Sequence, residues 1–280
     1  MRTSMLVRSG VAAVLLAMIC LAAVARATPQ NAPPAATAPA QEKLAPFVFH
    51  SQNPDCEIVI DTSAAPELKD WVETKLGPTL AEWYPKIAEM LPSDGYTPPK
   101  KFTVLLRPGQ GVAATGGTRV TANSNWLRGE LNREATGALV HEEVHVVQQY
   151  GYGLGGRRRG ATTRPANGGQ AAARPTTRPA GNPVWLVEGI ADYVRWWYYE
   201  PDGPRRYPNP KSTRTKYDGS YTISANFLHW VAEKYDKDIV KELNAAMRQH
   251  RYSPDLWKQY TGKTVEELGA EWKKDLPARK

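Results

Sequence analysis

Cysteine is scarce in this sequence: Cys20 and Cys56 are the only two among 280 residues. Cys20 lies in an apolar N-terminal segment, so Cys56 alone belongs to the expected folded part. One cysteine cannot close an internal disulfide, which excludes a disulfide-stapled scaffold. The run Cys56-Glu57-Ile58-Val59-Ile60 reads as a strand, so Cys56 is expected as a small buried apolar residue rather than a nucleophile. Long apolar runs are lacking too. Val11 to Val24 is apolar and Ala-rich but short for a bilayer span, and no later run is long enough to cross. Acid is missing from two segments. Residues 1–27 hold three Arg and no Asp or Glu, and residues 153–182 hold six Arg and no acid. Of the formal charge of +8, everything positive is therefore borrowed from a leader and a loop. The remainder is nearly neutral, so no specific nucleic-acid face is expected. What is plentiful is core material: 41% hydrophobic residues, with 9 Trp and 13 Tyr, exclude a disordered chain and a coiled coil.

Residues 1–27 read as a signal peptide. Arg2 and Arg8 form its positive end, and Ala25-Arg26-Ala27 places small residues where a signal peptidase reads, predicting cleavage after Ala27. Ile19 before Cys20 argues against a lipoprotein site. A secreted or periplasmic protein, free of the membrane after cleavage, is expected. Residues 28–46 are a Pro/Ala-rich linker. The domain spans 47–280 and is interrupted by a low-complexity Arg/Gly/Pro/Ala insertion at 153–182, in which Thr-Arg-Pro-Ala occurs twice. Weak contact with an anionic polymer is the one binding role expected of that loop.

Periodicity predicts strand material over Phe47–Asp61, broken at Asn53-Pro54, and a helix over Pro66–Leu91, with Gly77-Pro78 as a candidate break. Lys101–Arg107 reads as a strand, and Val112–Trp126 holds Gly-interrupted strand signal. Within it, Thr118–Asn123 is the candidate edge for an extended substrate. Glu134–Tyr150 reads as a helix. Another starts at Asn182-Pro183, with Asn as N-cap and Pro at the first position, and runs to about Tyr199. Tyr221–Tyr235, Ile239–His250 and Val265–Leu276 follow as helices. Strands come first and helices after, an α+β layout.

The chemistry concentrates in His141-Glu142-Glu143-Val144-His145. On a helix, residues four apart share one face, so both imidazoles can reach one ion, and neutral imidazole suits Zn2+. Glu142 is placed to reach a water at that ion. A catalytic zinc needs a third protein ligand. Trp185-Leu186-Val187-Glu188-Gly189-Ile190-Ala191-Asp192-Tyr193 offers one on a second helix: Glu188 can ligate, and Asp192, four residues on, can hydrogen-bond the free nitrogen of a ligating His. Gly189 would let two helices pack closely around the ion. Six residues past His145 stands Gly151 rather than a third His, which argues against the metzincin arrangement. Tyr221, heading a helix, is a candidate donor to an oxyanion, with Tyr217 and Tyr193 as competitors. Trp196-Trp197-Tyr198-Tyr199 reads as packing rather than a sugar-stacking patch.

Three segments, 141–149, 185–195 and Gly-Ser-Tyr-Thr-Ile-Ser-Ala-Asn-Phe-Leu-His-Trp at 219–230, resemble the basic secretory protein family in order and rough spacing. The resemblance covers most of 47–276. It implies a zincin-like domain with a small N-terminal mixed sheet and a mainly helical remainder. It also implies a secreted zinc-dependent peptidase with His141, His145 and Glu188 as ligands, Glu142 as general base, and a peptide or protein as substrate. The insertion departs from the family pattern. The competing expectation is a secreted, non-catalytic cell-wall or matrix binding protein with a structural or vestigial metal site.

Overall fold

A computed structural model describes residues 44–150, 181–203 and 207–276. The expected leader, nearly all of the linker and nearly all of the insertion at 153–182 lie outside them.

Five strands form one mixed sheet: β1 (Phe47–Ser51), β2 (Cys56–Asp61), β3 (Lys101–Arg107), β4 (Ala113–Gly116) and β5 (Arg119–Asn123). Their spatial order is β1-β2-β3-β5-β4, with β2, β3 and β5 parallel and the outer strands β1 and β4 antiparallel to their neighbours. Alternation decides the core face. Cys56, Ile58 and Ile60 of β2, Phe102, Val104 and Leu106 of β3, and Val120 and Ala122 of β5 are buried, as period-two patterning requires. Cys56 is a buried free thiol, and burial pushes it up to about 11. The expectation that Thr118–Asn123 forms the edge is corrected. Two residues, Gly117-Thr118, connect β4 to β5, with Gly117 at φ 62, the position where a two-residue hairpin turn needs glycine. The hairpin folds back so that β5 lies against β3 and β4 becomes the outer strand.

The helical residues between β2 and β3 are continuous: a 3-10 turn Pro66–Leu68, α1 (Lys69–Trp71), a π turn Val72–Leu76 and α2 (Gly77–Met90). The predicted break at Gly77-Pro78 is not one. Gly77 is helical and stands where an added Cβ would meet the Phe49 ring at 2.1 Å, so its role is close approach to β1. Strand signal was expected to reach Trp126, yet the chain turns helical at Ser124. Asn123 caps α3 (Ser124–Glu130) by accepting from the Asn125 N–H at 3.1 Å.

α4 (Ala135–Gln148) is buried along almost its whole length. It packs on α2, β4, β5 and α5. Its last carbonyls are bound from outside the helix: the Arg248 guanidinium donates to Gln148 O at 3.0 Å and Val147 O at 3.1 Å, and the Tyr96 hydroxyl also donates to Val147 O. α5 (Val184–Val194) continues through a π turn, Arg195–Tyr199. Asn182 does not cap it. Its side chain donates instead to Met247 O at 3.2 Å, and Pro183 occupies the cap position. α6 (Tyr221–Lys234), α7 (Ile239–Arg248), α8 (Asp255–Thr261) and α9 (Val265–Asp275) complete the helical part. Trp257, Trp272 and Phe227 fill the space between α6, α8 and α9. The fold is α+β, a mixed sheet followed by helices. No helix among the described residues is long and apolar enough to cross a membrane.

Candidate active site

α4 supplies His141 and His145 one turn apart, and α5 brings Glu188 to the same point. His141 Nε2 lies 3.1 Å from His145 Nε2 and 3.2 Å from Glu188 Oε2, and His145 Nε2 lies 3.4 Å from the same oxygen. Donors bound at about 2.0–2.1 Å to the corners of a tetrahedron stand about 3.3 Å apart. Two imidazoles and one carboxylate at these separations thus fit a borderline cation such as Zn2+, with a fourth position left over.

The far nitrogens of both rings are occupied. His141 Nδ1 is 2.7 Å from Asp192 Oδ1, and His145 Nδ1 is 2.7 Å from Gln148 Oε1. A proton on each Nδ1 turns the Nε2 lone pair toward the common point. These partners are themselves held. Thr222 donates its hydroxyl to Asp192 Oδ2 at 3.0 Å, and Gln148 Nε2 donates to Val187 O at 3.1 Å. The charge arrangement favours a cation. Burial works to keep His141 neutral, but hydrogen bonds and charge from Asp192, Glu188 and Glu142 outweigh it and raise the ring to about 10. Glu188 is also desolvated, yet hydrogen bonds from His141 and His145 hold it down at about 2.

Glu142 follows His141 on the buried face of α4, and the Thr115 hydroxyl of β4 donates to its Oε2 at 2.5 Å. Tyr221 stacks over His141, with ring centroids 6.0 Å apart and planes 26° from parallel. Ser220 and Tyr221 both take left-handed φ, 63° and 49°, a conformation that costs non-glycine residues energy and often marks a functional position. Partial burial and the carboxylates of Glu188, Asp192 and Glu142 push the phenol up, so it stays a proton donor. The two competitors point elsewhere. Tyr193 is buried with its hydroxyl 3.0 Å from that of Tyr198, and the Tyr217 hydroxyl donates to Glu266 at 3.3 Å. Trp196 and Trp197 are buried, in line with a packing role.

The structure brings His141, Glu142, His145, Glu188, Asp192 and Tyr221 to one place and leaves Tyr193 and Tyr217 outside it. Thr115, Gln148 and Thr222 were missed. Gln148 was within reach of sequence reasoning, since it stands three residues past His145 and so shares its helix face. Gly189 corrects one expectation. Its missing side chain admits α6 rather than α4, because an added Cβ would meet Ser224 Cβ at 2.8 Å.

Nothing among curated proteins matches this chain significantly. Among solved structures, a mutant two-domain M1 zinc metallopeptidase crystallised with L-tryptophan aligns at a TM-score of 0.45 and 12% identity. The alignment covers 82% of this chain, which spans about half, 51%, of that one. A protein-family model described as "Peptidase of plants and bacteria" and abbreviated BSP matches residues 61–272, well over half of the sequence. That match takes in β3 to α8 and all six residues gathered at the site, and the chain belongs to this peptidase family.

Proposed function

We propose that the protein is an exported, zinc-dependent peptidase. The observation that supports it most is the triangle of His141, His145 and Glu188 donors at 3.1–3.4 Å beside the carboxylate of Glu142. In this reading His141, His145 and Glu188 hold the metal, while Asp192 and Gln148 fix the two imidazoles. Zinc, when bound, supplies a Lewis acid that polarises the scissile carbonyl and brings the pKa of water near 7. Glu142 takes a proton from the attacking water and passes it to the leaving amine. The Tyr221 phenol, protonated and beside His141, donates to the oxyanion.

The open edge of β4 supports an extended substrate. Val112 O accepts from Asn123 N–H at 2.8 Å. In an antiparallel pair, alternate residues turn both backbone groups to the same side. Ala114 and Gly116 therefore face β5, while Ala113 and Thr115 turn their N–H and C=O groups to the open edge, where no strand pairs among the described residues. A peptide can add there as a sixth strand.

Export and cleavage after Ala27 rest on residues 1–27 alone, and loose contact of the 153–182 loop with anionic polymers rests on its six Arg. The deciding experiment is peptide cleavage by the mature protein, with metal content measured alongside. Glu142→Gln keeps stoichiometric zinc and the fold but loses about 10²–10⁴-fold in rate, because an amide cannot accept the proton. His141→Ala loses the metal. Undiminished cleavage by Glu142→Gln would remove Glu142 from the mechanism, and full zinc in His141→Ala would refute the ligand assignment.

A further inference from the structure

We propose that Thr115 on β4 is a positioning residue that aims the Glu142 carboxylate, so that the strand which receives the substrate also sets the direction of the base. The inference rests on the peptidase reading above and adds to it a residue 27 positions from Glu142 in sequence.

The geometry leaves little choice about where the Thr115 proton goes. Its Oγ1 lies 2.5 Å from Glu142 Oε2 and 3.2 Å from the Glu142 backbone carbonyl. A hydroxyl has one proton to give. The shorter contact falls where O–H donors meet carboxylates, about 2.5–2.7 Å, the stronger class of hydrogen bond. One carboxylate oxygen is thereby committed to Thr115, and the other remains for a water proton. Among the described residues Thr115 is the one hydrogen-bond partner of the Glu142 carboxylate.

The strand fixes the donor in turn. Along β4, Ala113 and Thr115 are half-buried and Ala114 and Gly116 exposed, so the Thr115 side chain is on the face that packs against α4. Its register is set by pairing with Val120 of β5, which is buried in the core. Meanwhile its own N–H and C=O belong to the open edge. A peptide strand that docks there bonds the main chain of the residue whose hydroxyl holds the base. Substrate register and carboxylate direction then share one anchor, and the scissile bond and Glu142 are positioned together.

The test uses the zinc-loaded mature protein and a neutral fluorogenic peptide. Thr115→Val keeps the shape and the main chain but removes the donor. The expected result is a kcat about 10–100-fold lower, with KM within about twofold, because strand pairing uses main-chain groups. Zinc content and Tm should be unchanged. Thr115→Ser, which restores a hydroxyl, should recover most of kcat. Thr115→Ala provides the same comparison if the Val variant folds poorly. A crystal structure of the Val or Ala variant should show the Glu142 carboxylate turned from its present position. Wild-type kcat in Thr115→Val, equal losses in the Val and Ser variants, or a change confined to KM would each overturn the proposal. Glu142→Gln run in parallel separates the two levels: if it cleaves normally the peptidase mechanism fails, whereas if it is dead and Thr115→Val is fully active only the role of Thr115 fails.

Discussion

Neither carboxylate oxygen of Glu143 has a hydrogen-bond partner among the described residues, and the side chain is fully buried. It stands one position past Glu142, but on a helix that rotation carries it from the site into the core. Burial pushes its carboxyl well above the usual carboxylate range, because a charged carboxylate with no partner is disfavoured there. The folded pKa lies above the unfolded one. Its contribution to stability is therefore fully present below the unfolded value, about 4.3, and is lost progressively as pH rises toward the folded value. Inside that window one such group costs at most about 1.4 kcal/mol per pH unit. Replacing it with Met, similar in volume and needing no partner, should stabilise the protein by about 1–3 kcal/mol at neutral pH, with an advantage that widens as pH rises from the unfolded value toward the folded one. Denaturant midpoints of both proteins across that range check this, and parallel pH profiles would count against it. The same residue shows how far a motif can be read. In His-Glu-Glu-Val-His the two acids look alike, and helical geometry separates them: position 142 shares the site with His141, whereas position 143 faces inward. Thr115 carried no such local signal, since its contact with Glu142 exists only once a hairpin has been laid against α4.

At the scale of elements, α5 is gripped from two sides. Glu188 and Asp192 on one face reach the histidines of α4, while Gly189 meets α6 on another. An added methyl at Gly189 would stand 2.8 Å from Ser224 Cβ, an atom too near its backbone to swing away, whereas the next contacts, Leu228 Cδ1 at 3.4 Å and the Ser224 carbonyl carbon at 3.5 Å, are tolerable. Gly189→Ala should thus destabilise by about 1–2 kcal/mol, overpacking outweighing the better helix propensity of Ala. Adding Ser224→Gly should return part of that loss, and a double-mutant cycle of unfolding free energies measures it. If the two changes simply add, the contact does not limit the packing. The helices themselves were legible because their apolar spacing is a local property, and α4 to α7 and α9 start and end within a few residues of their expected bounds. α8 escaped notice because seven residues hold too few turns to show a period. The edge strand was misplaced for a different reason. Val112–Trp126 carries Gly-interrupted strand signal, but which part of it lies outside depends on which strand β3 accepts, and that is decided by non-local pairing. Asn182-Pro183 looked like a helix start and is near one, but a tertiary partner on α7 claimed the asparagine.

The whole molecule is interrupted between its ligand-bearing helices. Tyr150, just past α4, donates its hydroxyl to Asn244 Oδ1 at 3.1 Å, and Asn182, just before α5, donates to Met247 O at 3.2 Å. Both ends of the interruption are therefore tied to α7 within one turn, independently of residues 154–181. Loop-closure entropy changes slowly with length, so replacing 154–181 by a short Gly/Ser linker should leave Tm and zinc content close to those of the full chain. It also removes six Arg, so retention on an anionic polymer should fall and lose its salt dependence. Melting, metal analysis and salt-gradient elution test the three parts together. A large drop in Tm would assign the segment a structural role, and lost peptide cleavage with intact stability would make it part of the cleft. The same arrangement means that a single cut between α4 and α5 would leave two histidines on one fragment and Glu188 on the other. In the proposed reading, zinc would add a coordination link between two pieces already joined by the packing of α4 on α5 and the bonds of α7 to Tyr150, Val147 and Gln148, so metal would raise the cohesion of the nicked protein.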